Sequence, residues 1–133
     1  MTRTIAFISF LLLSCQPNKK ESFNTVEVGG LILPDTLIAS EQVKEMHPNG
    51  DGYLLYNYKI NRKLIEEVRP QKDFASLPFK QNEVVDNRIY DYLSDQDEGY
   101  YIIRHLDDND PRDQMVVVLN VTRMELTILM VYV

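Results

Sequence analysis

The densest group of residues that could bind an ion lies late in the chain, where residues 106–113 read Leu-Asp-Asp-Asn-Asp-Pro-Arg-Asp. Carboxylates are the oxygen ligands that Ca²⁺ prefers. An EF-hand loop that starts at Asp108 needs Gly at its sixth position, but that position is Asp113. We therefore predict a solvated hairpin loop without a metal. Its acidic side chains are a candidate binding surface for a partner: Asp107, Asp108 and Asp110.

Histidine chemistry is limited to His47 and His105, the two histidines of the chain. They lie far apart, and neither has a neighbouring Cys or a second His at the spacing typical of zinc sites. The sequence also lacks the Gly-x-Ser-x-Gly motif that exposes a nucleophilic serine. We therefore predict no catalytic residue, no metal site and no cofactor. A small hydrolase that uses carboxylates and His105 is kept as an alternative.

The single cysteine, Cys15, directly follows a short apolar run at residues 5–13 and the small residue Ser14. The basic residue Arg3 precedes that run. A basic start, a short apolar core and a small residue before the cleavage site are the parts of a secretory signal peptide. A helix needs about 20 apolar residues to cross a bilayer, so this run is too short for a membrane span. These features predict a signal peptide over residues 1–14.

The segment Leu12-Leu13-Ser14-Cys15 resembles the lipobox of bacterial lipoprotein precursors. The resemblance implies cleavage before Cys15, a diacylglyceryl group on its thiol and a further acyl chain, such as palmitate, on its amine. Each buried methylene contributes about 0.8 kcal/mol, so several chains would hold the protein on a membrane. Residues 15–24 would then be the lipidated cysteine and a flexible tether. In this family Asp after the cysteine signals inner-membrane retention in some bacteria, so Gln16 favours the outer membrane.

Tyrosines are the second candidate binding group, because the chain has eight of them. Strand alternation would place Tyr56 and Tyr58 on the same face of one strand. Tyrosines on an exposed sheet face would suit binding to a protein or a glycan. The other interpretation is that both tyrosines line the core and place their hydroxyls at its rim. We favour it, because the tyrosine ring is apolar and only its hydroxyl needs a polar environment.

Residues 25–133 have the length of one small domain, and we predict that they fold as one. The chain is 44% hydrophobic and 26% charged, which is typical of globular proteins and does not indicate disorder. Its 14 Lys and Arg against 20 Asp and Glu give a net charge of −6. Nucleic-acid binders need a basic face to displace counterions from phosphates. Because the chain is acidic, we predict no nucleic-acid partner.

The pattern of residues predicts more strands than helices. Residues 115–119 are apolar at every position, which is typical of a central strand covered on both faces. Asn61 is a helix N-cap, and the helix should run to Val68. The other expected elements are an extended segment at 26–33, a helix or alternatively a strand at 35–47, a turn at 47–52, a strand at 53–60, a short helix through Val85, Ile89 and Leu93, and strands at 99–106 and 126–133. These elements predict an α+β fold, with a mainly antiparallel sheet of about four to five strands packed by one to three short helices.

Three short motifs, together with the hairpin expected between the last two strands, resemble a group of small bacterial envelope proteins over about residues 34–133. The motifs are Gly50-Asp51-Gly52-Tyr53, Leu77-Pro78 and Gly99-Tyr100-Tyr101. This resemblance implies the strand layout but no activity. Together with the predicted anchor, it indicates a lipid-anchored envelope protein that binds a protein or a small ligand. The acidic surface leaves an immunity or inhibitor protein against a secreted toxin as an alternative.

Overall fold

The computed structural model describes residues 25–133, which form two β-sheets and a few short helices. The signal peptide, lipobox and tether predicted for residues 1–24 lie outside the described residues. No helix within residues 25–133 is long and apolar enough to cross a membrane. In chain order the elements are β1 (Thr25–Val28), β2 (Leu31–Pro34), β3 (Glu41–Met46), β4 (Gly52–Lys59), α1 (Arg62–Val68), a 3₁₀ helix (Arg69–Gln71), β5 (Ala75–Ser76), a second 3₁₀ helix (Asn87–Tyr92), β6 (Gly99–Asp107), β7 (Asp110–Asn120) and β8 (Glu125–Tyr132).

The main sheet has six strands in the order β3-β4-β8-β7-β6-β5, and every neighbouring pair is antiparallel. β7 lies inside the sheet, and its residues 114–120 are all buried, as the continuous apolar run predicted. β1 and β2 form a separate two-stranded hairpin. The sheet-dominated α+β class is therefore confirmed. The prediction of four to five strands was too low, because the main sheet alone has six.

The sheet is buried on both faces by different parts of the chain. On one face, β2 and α1 pack against alternate residues of β7 and β8. On the other face, the segment 77–93 packs against the intervening residues of the same strands. Polar side chains in this core are paired, as where the Asn57 Nδ2 donates to the Thr127 Oγ1 at 2.8 Å. Both central strands therefore have an apolar face on either side, which explains their unbroken burial.

Residues 35–47 do not form the predicted helix; Glu41–Met46 is strand β3 at the edge of the sheet. The apolar side chains whose spacing indicated a helix are poorly buried: Met46 is 39% exposed and Val43 is only half-buried. The free edge of β4 supplies a full ladder of partners along this segment. Backbone pairing therefore outweighs the weak helix propensity of these residues.

Helix α1 begins where the sequence predicts, because Asn61 is its N-cap. The Asn61 Oδ1 accepts from the backbone N–H of Leu64 at 2.9 Å. Leu64, Ile65 and Val68 are buried against the sheet. After Val68 the chain tightens into the 3₁₀ helix that contains Pro70, since proline cannot continue the hydrogen-bonding of an α-helix.

Replacing Asn61 with alanine is expected to lower the free energy of unfolding by about 1 kcal/mol, because one N–H of the first turn loses its acceptor. Urea denaturation followed by circular dichroism would measure the loss. Asn82→Ala is the matched control, because Asn82 lies in an exposed loop. An equal loss in both variants would contradict the capping role of Asn61.

The segment expected to be helical through Val85, Ile89 and Leu93 is the 3₁₀ helix Asn87–Tyr92. The Asp86 carboxylate caps it by accepting from the Arg88 N–H at 3.0 Å. Ile89 and Leu93 are buried, as their spacing indicated. The segment packs on the sheet through these two residues, and six residues are near the upper length of a 3₁₀ helix.

Candidate functional site

A cleft of about 570 Å³ opens beside helix α1, and it is larger than the cavities near Pro78 and near Leu37. One wall comes from α1 and the residues that follow it, within 62–74. The other wall is made by Tyr100 at the start of β6 and by Val121 and Met124 in the turn between β7 and β8. We call this feature the α1 cleft. Its volume lies in the range of about 300–1,000 Å³ that is usual for small-molecule sites.

An arginine stacked on a tyrosine lies in the α1 cleft. The Arg69 guanidinium carbon is 4.1 Å from the centre of the Tyr100 ring, which is cation–π geometry. The backbone around both residues is fixed: the Arg69 N–H donates to the Ile65 carbonyl, and Tyr100 pairs with Ser76 and Leu119 on either side. The pair is therefore held in place before any ligand arrives.

Two further cations, Arg62 and Lys72, line the α1 cleft beside Arg69. Within residues 25–133, no carboxylate oxygen lies within 4.0 Å of a side-chain nitrogen of these three residues. The ion pairs in this part of the chain are formed by other residues. Lys72 is half-buried against the β1–β2 turn; its Cε lies 3.8 Å from where a Cβ on Gly30 would stand. The lining also includes the carboxylates of Glu66 and Asp73, so the cleft has three cations and two anions.

The turn that carries Val121 and Met124 has an unusual backbone. Met124 has φ 55°, the left-handed region that residues other than glycine rarely adopt. The turn is held there because the Met124 carbonyl accepts from Ile60 N–H at 3.0 Å and the Asn120 Oδ1 accepts from Arg123 N–H at 3.0 Å. Such conformations cost roughly 1–3 kcal/mol and cluster at binding sites. Here the conformation accompanies a side chain that lines the cleft.

The candidate tyrosines Tyr56 and Tyr58 share one sheet face, as alternation requires. Their rings are stacked, with centroids 6.4 Å apart and planes at 16°. Tyr58 is only 6% exposed, and Tyr56 is half-buried against the same core that α1 covers. Burial raises the pKa of the Tyr58 hydroxyl. The core interpretation is the one that these burials favour.

The acidic candidates Asp107, Asp108 and Asp110 lie at the hairpin end between β6 and β7. Asp107 accepts from the Asn109 N–H at 2.9 Å, and Asp110 accepts from the N–H and guanidinium of Arg112. The pKa of Asp110 is lowered, chiefly by the side-chain hydrogen bond from Arg112. Asp107 and Asp110 therefore bond to their own turn, and Asp108 is exposed to solvent.

His105 lies near the end of β6, exposed and opposite Gln114. It lines neither the α1 cleft nor the two smaller cavities near Pro78 and near Leu37. Among the residues the structure describes, no group of three or more His, Cys, Asp or Glu is arranged to hold a metal ion. Of these three cavities in residues 25–133, the α1 cleft is the one lined by both cationic and aromatic side chains.

The α1 cleft was not predicted from the sequence, although one signal was present. Arg62, Glu66, Arg69 and Asp73 recur at i, i+4, i+7 and i+11, which is one face of a helix. That spacing predicts a charged stripe, but a stripe on a short helix is usually just solvated. Tyr100, Val121 and Met124 join it only through the sheet, so the concave shape has no local signal.

The chain was also compared with known proteins. Searches against protein-family models, curated protein sequences and solved structures returned no match.

Proposed function

We propose that this protein is a lipid-anchored binding protein of a bacterial envelope, which captures a small ligand in the α1 cleft. The observation that carries the binding part is the cleft itself, in which a preorganised Arg69–Tyr100 stack faces a concave space of about 570 Å³. Membrane attachment is supported by the sequence of residues 1–15, which ends in the lipobox-like Leu12-Leu13-Ser14-Cys15.

The chemistry of the cleft suits binding better than catalysis. Its lining contains no Ser, Thr, Cys or His, the side chains of the Ser–His and Cys–His types of nucleophile and base. The apolar side chains of Phe74, Val121 and Met124 offer contact area, and the charged groups offer orientation. A mostly apolar wall with a few fixed polar groups is the usual composition of a small-molecule site.

A fragment screen by NMR would test the binding function with a diverse set of small molecules, so that no single ligand has to be chosen. The protein would be the mature chain, residues 15–133, carrying Cys15→Ser so that no lipid is attached. We expect several fragments to shift the amide signals of Arg69, Lys72 and Tyr100 together. Fragments that shift amides elsewhere, and never those of the cleft, would contradict the proposed site.

Replacing Cys15 with serine is expected to move the protein almost completely from the membrane fraction to the soluble fraction, because a serine hydroxyl does not take the thioether-linked lipid. Ultracentrifugation of lysed cells and incorporation of labelled palmitate would measure the change. Ser14→Ala is the matched control, since it keeps a small residue before the cysteine. A Cys15→Ser protein that still sediments with membranes would rule out the anchor.

The acidic hairpin end supports a second candidate function, an inhibitor or immunity protein that binds a basic secreted toxin. Residues 110–113 pair only with β6, because β8 begins to pair with β7 at Gln114. The hairpin therefore extends beyond the rest of the sheet. A basic partner that is lost from an Asp107→Asn, Asp108→Asn variant, but kept by a Tyr100→Ala variant, would favour this function over ligand capture in the cleft.

A further inference from the structure

We infer that the α1 cleft selects organic anions, that is, small molecules with an apolar and preferably aromatic body and one acidic group, a carboxylate or a phosphate. This inference rests on the proposed function and names the class of ligand. It follows from three features of the cleft: three cations that form no ion pair within residues 25–133, the restraint on two of them, and the apolar side chains of the lining.

Cations are scarce in this domain, and they converge on the cleft. Residues 25–133 carry 11 Lys and Arg side chains against 19 Asp and Glu. Three of the 11, namely Arg62, Arg69 and Lys72, line one cavity and have no carboxylate within 4.0 Å in residues 25–133. Like charges repel, and the two carboxylates in the lining, Glu66 and Asp73, form no ion pair with these cations, so their repulsion is only partly offset in the unliganded protein. An anion bound between them would offset the remaining repulsion.

Two of the three cations, Arg69 and Lys72, are also restrained, which lowers the entropic cost of binding. The Arg69 guanidinium lies on the Tyr100 ring, so its orientation is set. The half-buried stem of Lys72 passes beside Gly30. Flexible Lys and Arg side chains normally lose conformational entropy when they are immobilised at an interface. Restraint in the free protein reduces that loss.

Both walls of the cleft carry apolar side chains. Phe74 and the buried side chain of Ile65 lie in one wall, and Val121 and Met124 lie in the other. The exposed face of a guanidinium that is already stacked can also accept a second aromatic ring. A purely inorganic anion would leave this apolar surface exposed to water, whereas an organic anion would cover it and gain the free energy of burying apolar area.

The two carboxylates in the lining limit the charge of the ligand. Glu66 and Asp73 reduce the formal excess in the cleft to one positive charge. That excess balances a ligand with one negative charge, such as a carboxylate or a singly ionised phosphate. A polyanion would meet the acidic surface of the rest of the domain, whose 19 carboxylates outnumber its cations.

Two fluorescent probes of the same shape test the inference directly. 1-Anilinonaphthalene-8-sulfonate carries one negative charge, and N-phenyl-1-naphthylamine is its neutral counterpart. Titrated into the mature Cys15→Ser chain, the anionic probe is expected to bind about tenfold more tightly than the neutral probe, because only its sulfonate can form hydrogen bonds and ion pairs with the cations of the cleft. Arg69→Met should weaken the anionic probe about tenfold and leave the neutral probe within about twofold. Arg62→Gln should act in the same direction.

The control variant is Lys63→Gln, which removes one positive charge from the same helix outside the α1 cleft. It is expected to leave both probes unchanged, and near-ultraviolet circular dichroism would confirm the fold of every variant. Equal binding of both probes would overturn anion selectivity and leave the binding function standing. Failure of both probes to bind would overturn both proposals, and equal weakening by Lys63→Gln would reduce the effect to general surface charge.

Competition separates the two acidic groups. 2-Naphthoate and 2-naphthyl phosphate are each expected to displace the anionic probe, and 2-naphthol is not. The tighter of the two anions identifies the acid that the cleft recognises. Displacement by 2-naphthol as strong as by either anion would overturn the inference.

Discussion

Replacing Gly99 with alanine is expected to lower the free energy of unfolding by at least about 3 kcal/mol, because the backbone at this position excludes a side chain. Gly99 has φ +154°, and a Cβ there would lie 2.1 Å from the carbonyl oxygen of Leu119. That oxygen belongs to the neighbouring central strand, so neither partner can move without breaking the β6–β7 ladder. The Gly99 carbonyl also accepts from Leu77 N–H at 2.9 Å, which ties the β5 segment to the sheet.

Gly50→Ala is the matched control for this substitution. Gly50 also has a positive φ, +92°, but nothing lies within 4 Å of the position of its Cβ. It should therefore show only the backbone cost of roughly 1–2 kcal/mol. Urea denaturation at constant pH would give both values. A Gly99→Ala protein as stable as Gly50→Ala would show that the steric contact with Leu119 is not limiting.

We expect Gly99→Ala to alter the α1 cleft as well, because Tyr100 is the next residue and its ring is the one on which Arg69 stacks. A displaced start of β6 would shift that ring. We therefore expect the variant to lose affinity for the anionic probe under conditions in which it is still folded. Gly50→Ala, in the turn before β4, should keep that affinity.

The features of the fold that the sequence predicted well have strong local signals. The apolar run at 115–119 predicted a central strand, since a sheet with two covered faces leaves no polar position. Asn61 predicted the start of α1, because a cap acts within one turn. Both signals arise from neighbours in the chain and do not depend on distant partners.

The features that the sequence did not predict depend on distant partners. Glu41–Met46 has only modest strand propensity, and it becomes β3 because β4 offers a free edge. The two residues of β5 pair with Tyr100 and Tyr101, which lie far along the chain. The α1 cleft likewise needs Tyr100 and Met124 to meet α1 across the sheet. The sequence of a single element carries no signal for contacts between elements that are far apart in the chain.

Replacing Asp97 with asparagine is expected to lower the free energy of unfolding at pH 7 by about 2–3 kcal/mol, because its carboxylate joins three parts of the chain. The Oδ2 atom accepts from Ser94 N–H at 3.0 Å and from Asn120 Nδ2 at 2.9 Å, and it forms an ion pair with Arg123 Nε at 2.9 Å. The Asp97 side chain is only 7% exposed, so solvent replaces little of what is lost. Asp95→Asn is the matched control, because Asp95 is exposed in the same turn and should change stability by less than about 0.5 kcal/mol.

The pH dependence distinguishes a charge effect from a packing effect at Asp97. The pKa of Asp97 is lowered, first by the backbone hydrogen bond from Ser94 and then by the side chain of Asn120. The unfolded chain, with a pKa of about 3.9, therefore takes up a proton at a higher pH than the folded protein does. The contribution of Asp97 is complete above that value and is lost as the pH falls through the folded pKa. We expect the stability difference between wild type and Asp97→Asn to be constant from pH 7 to 5 and to narrow below about pH 4.

Asp97 also supports the wall of the α1 cleft that contains Val121 and Met124, through the hydrogen bonds of the next residue, Glu98. Its neighbour Glu98 accepts from Val121 N–H at 2.9 Å and donates its own N–H to the Thr122 Oγ1 at 2.8 Å. Hydrogen bonds thus join the turn at residues 94–98 to the β7–β8 turn. We expect Asp97→Asn to make both turns less ordered. We expect this variant to weaken binding of the neutral and the anionic probe alike, in contrast to Arg69→Met, which should weaken only the anionic probe. A stability difference that stays constant down to pH 3, measured by urea denaturation, would show that the Asp97 charge does not contribute to the folded state.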